Sequence, residues 1–479
     1  MTGRRGPVVD QMIRSRLLAS AGPRTFGRVR SLVGTSIEVE GLVAAVGDHL
    51  ILHAPNGPVD AEVVAVRANG LVCMPFAEPR GIPAGIPVEA HARPLLVPGG
   101  AGALGRVLDG LGRPIDGGAP LAGVHPVHNV PPHPLTRPRI ADPMWVGVRA
   151  IDTMATLGRG QRLGIFAGSG VGKSTLLSMI ARNTEADVTV LALIGERGRE
   201  VREFIEADLG PEGLARSVVV VATSDQPALV RRQAAFTATR IAESLRDEGR
   251  HVVLMCDSLT RFCMAQREIG LAAGEPPTTR GYPPSTFALL PQLLERAGAD
   301  AVGSITGLYT VLVEGDDMNE PVADAARSIL DGHIVLSRAL AHENHYPSID
   351  ILESISRCAG QVISVDERQV AGEFRKLLAA YRDARDLIEI GAYRPGTNPD
   401  VDRAMATRAN QLAFLQQGTH ELTAPIATWD ACAESIGLRF ERDTGPQREP
   451  SADAALLETT PLDEWPDLTF GLAGSSDGS

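Results

Sequence analysis

The chain has 479 residues, enough for two or three domains and a large core. Hydrophobic residues make up 44% of it and mean hydropathy is +0.01, a globular composition with no uncharged apolar run long enough for a transmembrane helix. A net charge of −12 argues against nucleic acid as a partner, and five cysteines (Cys73, Cys256, Cys263, Cys358, Cys432) without CxxC or His-rich spacing argue for buried cytosolic thiols rather than zinc ligands or disulfides.

In chain order, residues 1–24 form a basic segment with five Arg against Asp10. Its apolar positions (Val8, Val9, Met12, Ile13, Leu17, Leu18) fit either a short amphipathic helix that meets a partner or membrane surface, or a frayed terminus. They form no continuous apolar core, so the segment is not a secretory signal. Residues 25–96 read as a small β-barrel: short β-rich runs (27–32, 36–39, 49–53, 61–66, 71–75) separated by Gly and Asn-Gly turns. Residues 97–145 are Gly- and Pro-rich and read as an ordered connector.

From 146 to 357, apolar strand-like runs (188–194, 217–222, 251–256, 304–313, 333–336) alternate with helical runs (228–248, 259–269, 286–297). This pattern predicts an α/β domain with a mainly parallel sheet. Residues 358–442 read as helical, chiefly 367–391 and 401–416, and predict a C-terminal α-helical domain. The tail, 443–479, carries eight acids and one base, which is −7 of the −12 total, and reads as a disordered, solvated segment. Leu456-Leu457 and the patch from Trp465 to Phe470 offer a short docking motif within it.

The most specific local motif is Ala167-Gly168-Ser169-Gly170-Val171-Gly172-Lys173-Ser174, between an apolar run and a helical run. Three glycines let backbone N–H groups converge on phosphate oxygens, and the helix from Lys173 points its positive end at the same anion. Lys173 is placed for the β- and γ-phosphates of a nucleotide, and the Ser174 hydroxyl for Mg²⁺. Ala167 stands where the general phosphate-loop pattern has its first Gly. Asp257 ends the run from His251, a position for a carboxylate that holds the metal's water shell or for a helix cap. Glu196 follows the run from Val188 in Gly195-Glu196-Arg197-Gly198-Arg199-Glu200. Position alone fits it equally to orienting a water at the γ-phosphate or to a surface charge.

Together with Pro347-Ser348-Ile349-Asp350-Ile351-Leu352-Glu353-Ser354-Ile355-Ser356, these motifs resemble the rotary and export ATPase superfamily over roughly residues 25–440. That ten-residue segment fits the superfamily signature at every position. The resemblance implies a β-barrel, a RecA-like phosphate-loop NTPase domain and a helical C-terminal domain. The segments 105–112, 281–285, 313–321 and 381–387 are most similar to the flagellar export ATPases and their injectisome relatives, where Ala is common at the first loop position.

By resemblance, the loop residues Gly168–Gly172 with Lys173, Ser174 and Thr175 bind ATP and Mg²⁺. Glu196 is the catalytic carboxylate, with Arg197 and Glu200 ordering the γ-phosphate and the metal's water shell. Asp257 is the metal-side acid, Arg261 a phosphate-side arginine, and Tyr346 packs on adenine. Arg357 is the arginine finger given to a neighbouring subunit.

The resemblance further implies a cytoplasmic homohexamer, peripherally attached to the inner-membrane export apparatus. Its partners would be stator and central-stalk proteins, the membrane export gate and chaperone–substrate complexes. The injectisome ATPase is the alternative reading. An ATP synthase catalytic subunit fits less well. A non-catalytic nucleotide-binding subunit of the superfamily would carry Gln at the position of Glu196. An RNA-translocating hexamer is disfavoured by the acidic balance and the 4% aromatic content.

Overall fold

The computed structural model describes residues 26–91, 94–313, 315 and 317–440. The expected basic segment and acidic tail lie outside them, as do Glu314 and Asp316 of the export-type segment 313–321. Strands β1 (Phe26–Val33), β2 (Ser36–Glu40), β3 (His49–Ala54), β4 (Gly57–Arg67), β5 (Gly70–Pro75) and β6 (Pro87–His91) close into an antiparallel barrel of order β1-β2-β5-β4-β3-β6. Period-2 alternation explains it: Val29, Ile37, Val39, Leu50, Leu52, Val63, Cys73 and Val88 all point inward and are almost completely buried. Gly70 is required where β5 starts, because at its φ of +144° a Cβ would lie 2.3 Å from the carbonyl oxygen of Val39. Strand β6 is not among the sequence expectations; its Pro start and two apolar residues give too short a pattern.

The central sheet runs β14-β13-β8-β12-β11-β9-β10-β7, with a two-residue strand, Gly298–Ala299, added beside β12. In chain order its strands are β7 (Val107–Asp109), β8 (Arg162–Ala167), β9 (Val188–Ile194), β10 (Ser217–Ala222), β11 (His251–Asp257), β12 (Ser304–Leu312), β13 (Gly332–Leu336) and β14 (Ile349–Ser356). All neighbours on that path are parallel except β13 and β14. Buried on both faces, β9 and β10 are apolar almost throughout, which is why they read as continuous runs. Strand β7 falls inside the stretch expected to be connector and instead extends the sheet by pairing with β10.

The helices of this part include α1 (Arg149–Met154), α2 (Lys173–Asn183), α3 (Ala228–Asp247), α4 (Leu259–Ala273), α5 (Pro284–Leu294) and α6 (Pro321–Ile329). The barrel is fastened to them by polar contacts: the buried Arg232 of α3 to Glu62 of β4 at 2.5 Å, and Arg67 of β4 to the carbonyl of Ala273 at 3.0 Å.

The C-terminal helices are α7 (Val365–Glu389), α8 (Pro399–Leu415) and α9 (Pro425–Ser435). A capping box between Ser364 and Glu367 starts α7. Phe374 of α7 meets Phe414 of α8 edge to face, with ring centroids 5.7 Å apart. Among the described residues no helix is long and apolar enough to cross a membrane.

Candidate active site

Parallel pairing brings the carboxyl ends of β8, β9, β11, β12 and β13 to one edge of the sheet. The turn Gly168–Gly172 leaves the end of β8 there. Gly170 (φ +78°) and Gly172 (φ +88°) adopt the left-handed conformation that turns the chain into α2, which begins at Lys173 as expected. No side chain caps α2, so its first N–H groups remain for an anion. Ala167 tolerates its methyl group because it is the last strand residue of β8, buried and hydrogen-bonded between β12 and β13. Ser174 and Thr175 are exposed at the mouth of the turn.

Three expected residues converge on this turn. Lys173 Nζ donates to Asp257 Oδ1 at 2.5 Å and to Glu196 Oε1 at 3.4 Å. Asp257, at the end of β11, is 4% exposed and faces Lys173. The helix cap is taken by the next residue, Ser258, whose hydroxyl accepts from the N–H of Arg261. Glu196 has a side chain only 20% exposed, which separates it from the exposed charges around it.

Burial works to lower the pKa of Lys173, but the nearby Asp257 and Glu196 outweigh it, so the ammonium is held above its ordinary value. Glu196 moves up: burial raises it, Asp257 adds repulsion, and Lys173 only partly compensates.

Other expected residues stand around this centre. Glu200 lies in the first turn of a short helix, Gly198–Glu203, and accepts from Arg197 at 3.2 Å; the Arg197 side chain is 79% exposed. Arg261 packs across Gly195, where a Cβ would lie 3.0 Å from the arginine's own Cβ, and its Nε is buried with no hydrogen-bond partner among the described residues. Tyr346 is 41% exposed, so it is not a core aromatic, and its ring edge lies 3.4 Å from where a Gly172 Cβ would stand. Arg357 is not brought to the site. Strand β14 starts beside the turn and runs antiparallel to β13, so Ser356 pairs with Gly332 at the opposite edge of the sheet. The seven steps from Ile349 to Ser356 span roughly 23 Å.

Sequence reasoning missed three supporting residues. Ser348 Oγ donates to the carbonyl of Val171 at 2.6 Å and clamps the phosphate turn from the signature segment. Gln417 donates its backbone N–H to the carbonyl of Tyr346 at 3.0 Å. Its buried side chain joins Gly147, Arg149 and Glu421. Thr310, completely buried on β12, donates to Asp257 Oδ1 at 2.6 Å. Its strand also carries Ser304, Thr306 and Tyr309, so nothing in the sequence singled it out.

The donor set suits a divalent cation that keeps most of its water. Glu196 and Asp257 flank one lysine, and Ser174 offers a hydroxyl. Among the described residues no group of three or more His, Cys, Asp or Glu forms a cage. Mg²⁺ held through one or two protein groups plus phosphates needs no cage.

Comparison with known proteins gives the same outline. Residues 147–356 match the nucleotide-binding domain of the ATP synthase alpha/beta family, and residues 363–433 match the C-terminal domain of the type III secretion ATPase EscN. The chain is 53% identical to the flagellum-specific ATP synthase of Bacillus subtilis over 83% of its own length and 92% of that protein. It is 49% identical to the type 3 secretion system ATPase of Xanthomonas euvesicatoria, covering 87% and 96%. Among solved structures, assembled EscN of enteropathogenic E. coli, in complex with its central stalk EscO, superposes with a TM-score of 0.80 at 45% identity, covering 86% of this chain and all of that one.

Proposed function

The chain belongs to the family of flagellum-specific ATP synthases and type 3 secretion ATPases, and we propose that it hydrolyses ATP as a homohexamer to energise protein export through the flagellar type III apparatus. The observation that carries this reading is the convergence of Lys173, Glu196 and Asp257 on the phosphate turn. In this reading the backbone of Gly168, Ser169, Gly170, Val171 and Gly172 cradles the phosphates. Lys173 leaves its carboxylates for the β- and γ-phosphates, and Ser174 and Thr175 supply hydroxyls. Mg²⁺, when bound, neutralises phosphate charge; Ser174 would hold it, with Asp257 and Glu200 acting through water.

Glu196, released by Lys173, orients the attacking water, with Arg197 and Arg261 on the phosphate side. Tyr346 lies beside the turn, where a base would stack. Arg357, just past the far end of β14 from its own turn, serves the site of the neighbouring subunit. This placement makes turnover depend on ring assembly.

The domains would follow the sequence reading, with a barrel at 25–96, a connector at 97–145, an ATPase core at 146–357 and a helical domain at 358–442. The EscN–EscO complex supports a central-stalk partner here. The same reading adds stator, export gate and chaperone–substrate partners, at the cytoplasmic side of the inner membrane.

The test has two parts. The purified chain should hydrolyse ATP with specific activity that rises with protein concentration as rings form. Deleting its gene in the source bacterium should abolish flagellar filaments and spare any needle secretion. Loss of needle secretion with normal filaments would move it to the injectisome system, and no hydrolysis at any concentration would refute the enzyme.

A further inference from the structure

Thr310 occupies a position that the proposed chemistry does not yet use. It lies on β12, one residue beyond the Cys256–Tyr309 pair that joins β12 to β11, so it stands directly beside Asp257. It is completely buried, and its hydroxyl donates to Asp257 Oδ1 at 2.6 Å, while the carbonyl of Cys256 is at the limit of contact, 3.5 Å. A fully buried hydroxyl needs a partner, and this one has taken a carboxylate beside the phosphate turn. The β-branched side chain has few rotamers, so the donor is fixed in direction.

Asp257 Oδ1 also accepts from Lys173 at 2.5 Å. Both contacts fall on one oxygen and leave Oδ2 without a hydrogen bond among the described residues. The two donors differ in what they do when a triphosphate arrives. Lys173 is a flexible ammonium that the phosphates compete for. Thr310 is neutral, rigid and out of their reach, so its bond persists.

We propose that Thr310 is a positioning residue for hydrolysis. Its hydroxyl fixes the rotation of the Asp257 carboxylate, so that Oδ2 stays presented to the metal's water shell after Lys173 has moved to the phosphates. The inference rests on Asp257 acting as the metal-side carboxylate.

Binding of a fluorescent ATP analogue to full-length protein, with Mg²⁺ or with EDTA, tests it without turnover. Thr310→Val keeps shape and removes the donor. The Mg²⁺-dependent gain in affinity should fall about tenfold, in the range seen when a residue that orients a metal ligand is lost. Affinity in EDTA should stay unchanged, which also shows that the variant folds. Thr310→Ser should restore the gain, and Mn²⁺ titrations followed by electron paramagnetic resonance should show the same order of variants.

Asp257→Asn separates the two layers. If it keeps the Mg²⁺ gain, the assignment of Asp257 is wrong and the inference goes with it. If it loses the gain while Thr310→Val keeps it, or if Thr310→Val weakens binding equally with and without Mg²⁺, Asp257 stands and the role of Thr310 is overturned.

Discussion

Two charge clusters in the central domain each contain a glutamate held by cationic donors, and they behave in opposite ways. Around Glu243, on α3, every donor is fixed. Arg296 grips both carboxylate oxygens at 2.7 and 2.8 Å, Asn129 adds 2.9 Å and Arg240 3.1 Å. Arg296 also donates to the carbonyl of Val127 at 3.0 Å. Burial would raise Glu243, but Arg296 outweighs it and the carboxyl ends below its ordinary value. Around Glu196 there is one mobile ammonium at 3.4 Å, shared with Asp257, and the carboxyl ends above its ordinary value. The closed cluster joins connector, α3 and the end of α5 into one body. The open cluster is short of cations, and a nucleotide with its metal would complete it. Donor count and rigidity, rather than burial, separate the charge that holds the fold from the charge that waits for a substrate.

The largest effect should come from removing the cation that the open cluster lacks. Arg357→Ala should form rings and lower hydrolysis by about 10³–10⁵-fold, the range for an arginine finger. Mixing it with Lys173→Ala subunits, which keep Arg357, should recover part of the rate. Full activity of Arg357→Ala alone, or no recovery in mixed rings, would mean the cluster is completed within one chain. Next, Glu196→Gln should lower the rate by about 10²–10⁴-fold, as for loss of a positioned base, while ATP still binds. Retained turnover in a single-turnover assay would remove Glu196 from the chemistry and make it an ordinary buried acid.

The closed cluster predicts the complementary failure. Arg296→Ala leaves Glu243 buried with its two best contacts gone, which should cost about 3–5 kcal/mol of stability. Rate per folded subunit should hold at temperatures where the variant stays folded. Urea unfolding, combined with activity corrected for the folded fraction, measures both. A stable Arg296→Ala variant with impaired turnover would erase the distinction between the clusters.

Much of the open cluster was legible in the sequence because its chemistry is local. The glycines and Lys173 are contiguous, and Glu196 and Asp257 each follow an apolar run whose end marks a strand terminus. The parallel strands were legible because two-sided burial writes them as unbroken apolar stretches. What failed was non-local. Val107–Asp109 is three residues long and gains its place only by pairing with β10, more than a hundred residues later. Ser348, Thr310 and Gln417 act on neighbours that only the fold supplies. Glu243 and Arg296 give no sign in sequence that they meet, since α3 carries several charges and nothing in its pattern marks which partner each one takes. The separation of Arg357 from its own phosphate turn follows from the antiparallel β14, which the signature segment alone does not reveal.

The smallest predicted effect is a difference in sign. Take protein free of nucleotide and metal and compare urea midpoints at about pH 5 and about pH 7.5, both above the ordinary Glu value of about 4.3. The folded pKa of Glu196 lies above its unfolded value, so its contribution is full below the unfolded pKa and is lost as pH rises through the folded one. Wild type should therefore lose ground against Glu196→Gln as pH rises. The folded pKa of Glu243 lies below its unfolded value, so its contribution is present above the unfolded pKa and is lost only as pH falls through the folded one. Wild type should hold or gain ground against Glu243→Gln over the same rise. Because each variant is compared with wild type at the same pH, titrating groups away from the substituted carboxylate cancel. Slopes of the same sign would show that the two carboxylates share one environment, and the division between a structural and a substrate-ready cluster would have to be abandoned.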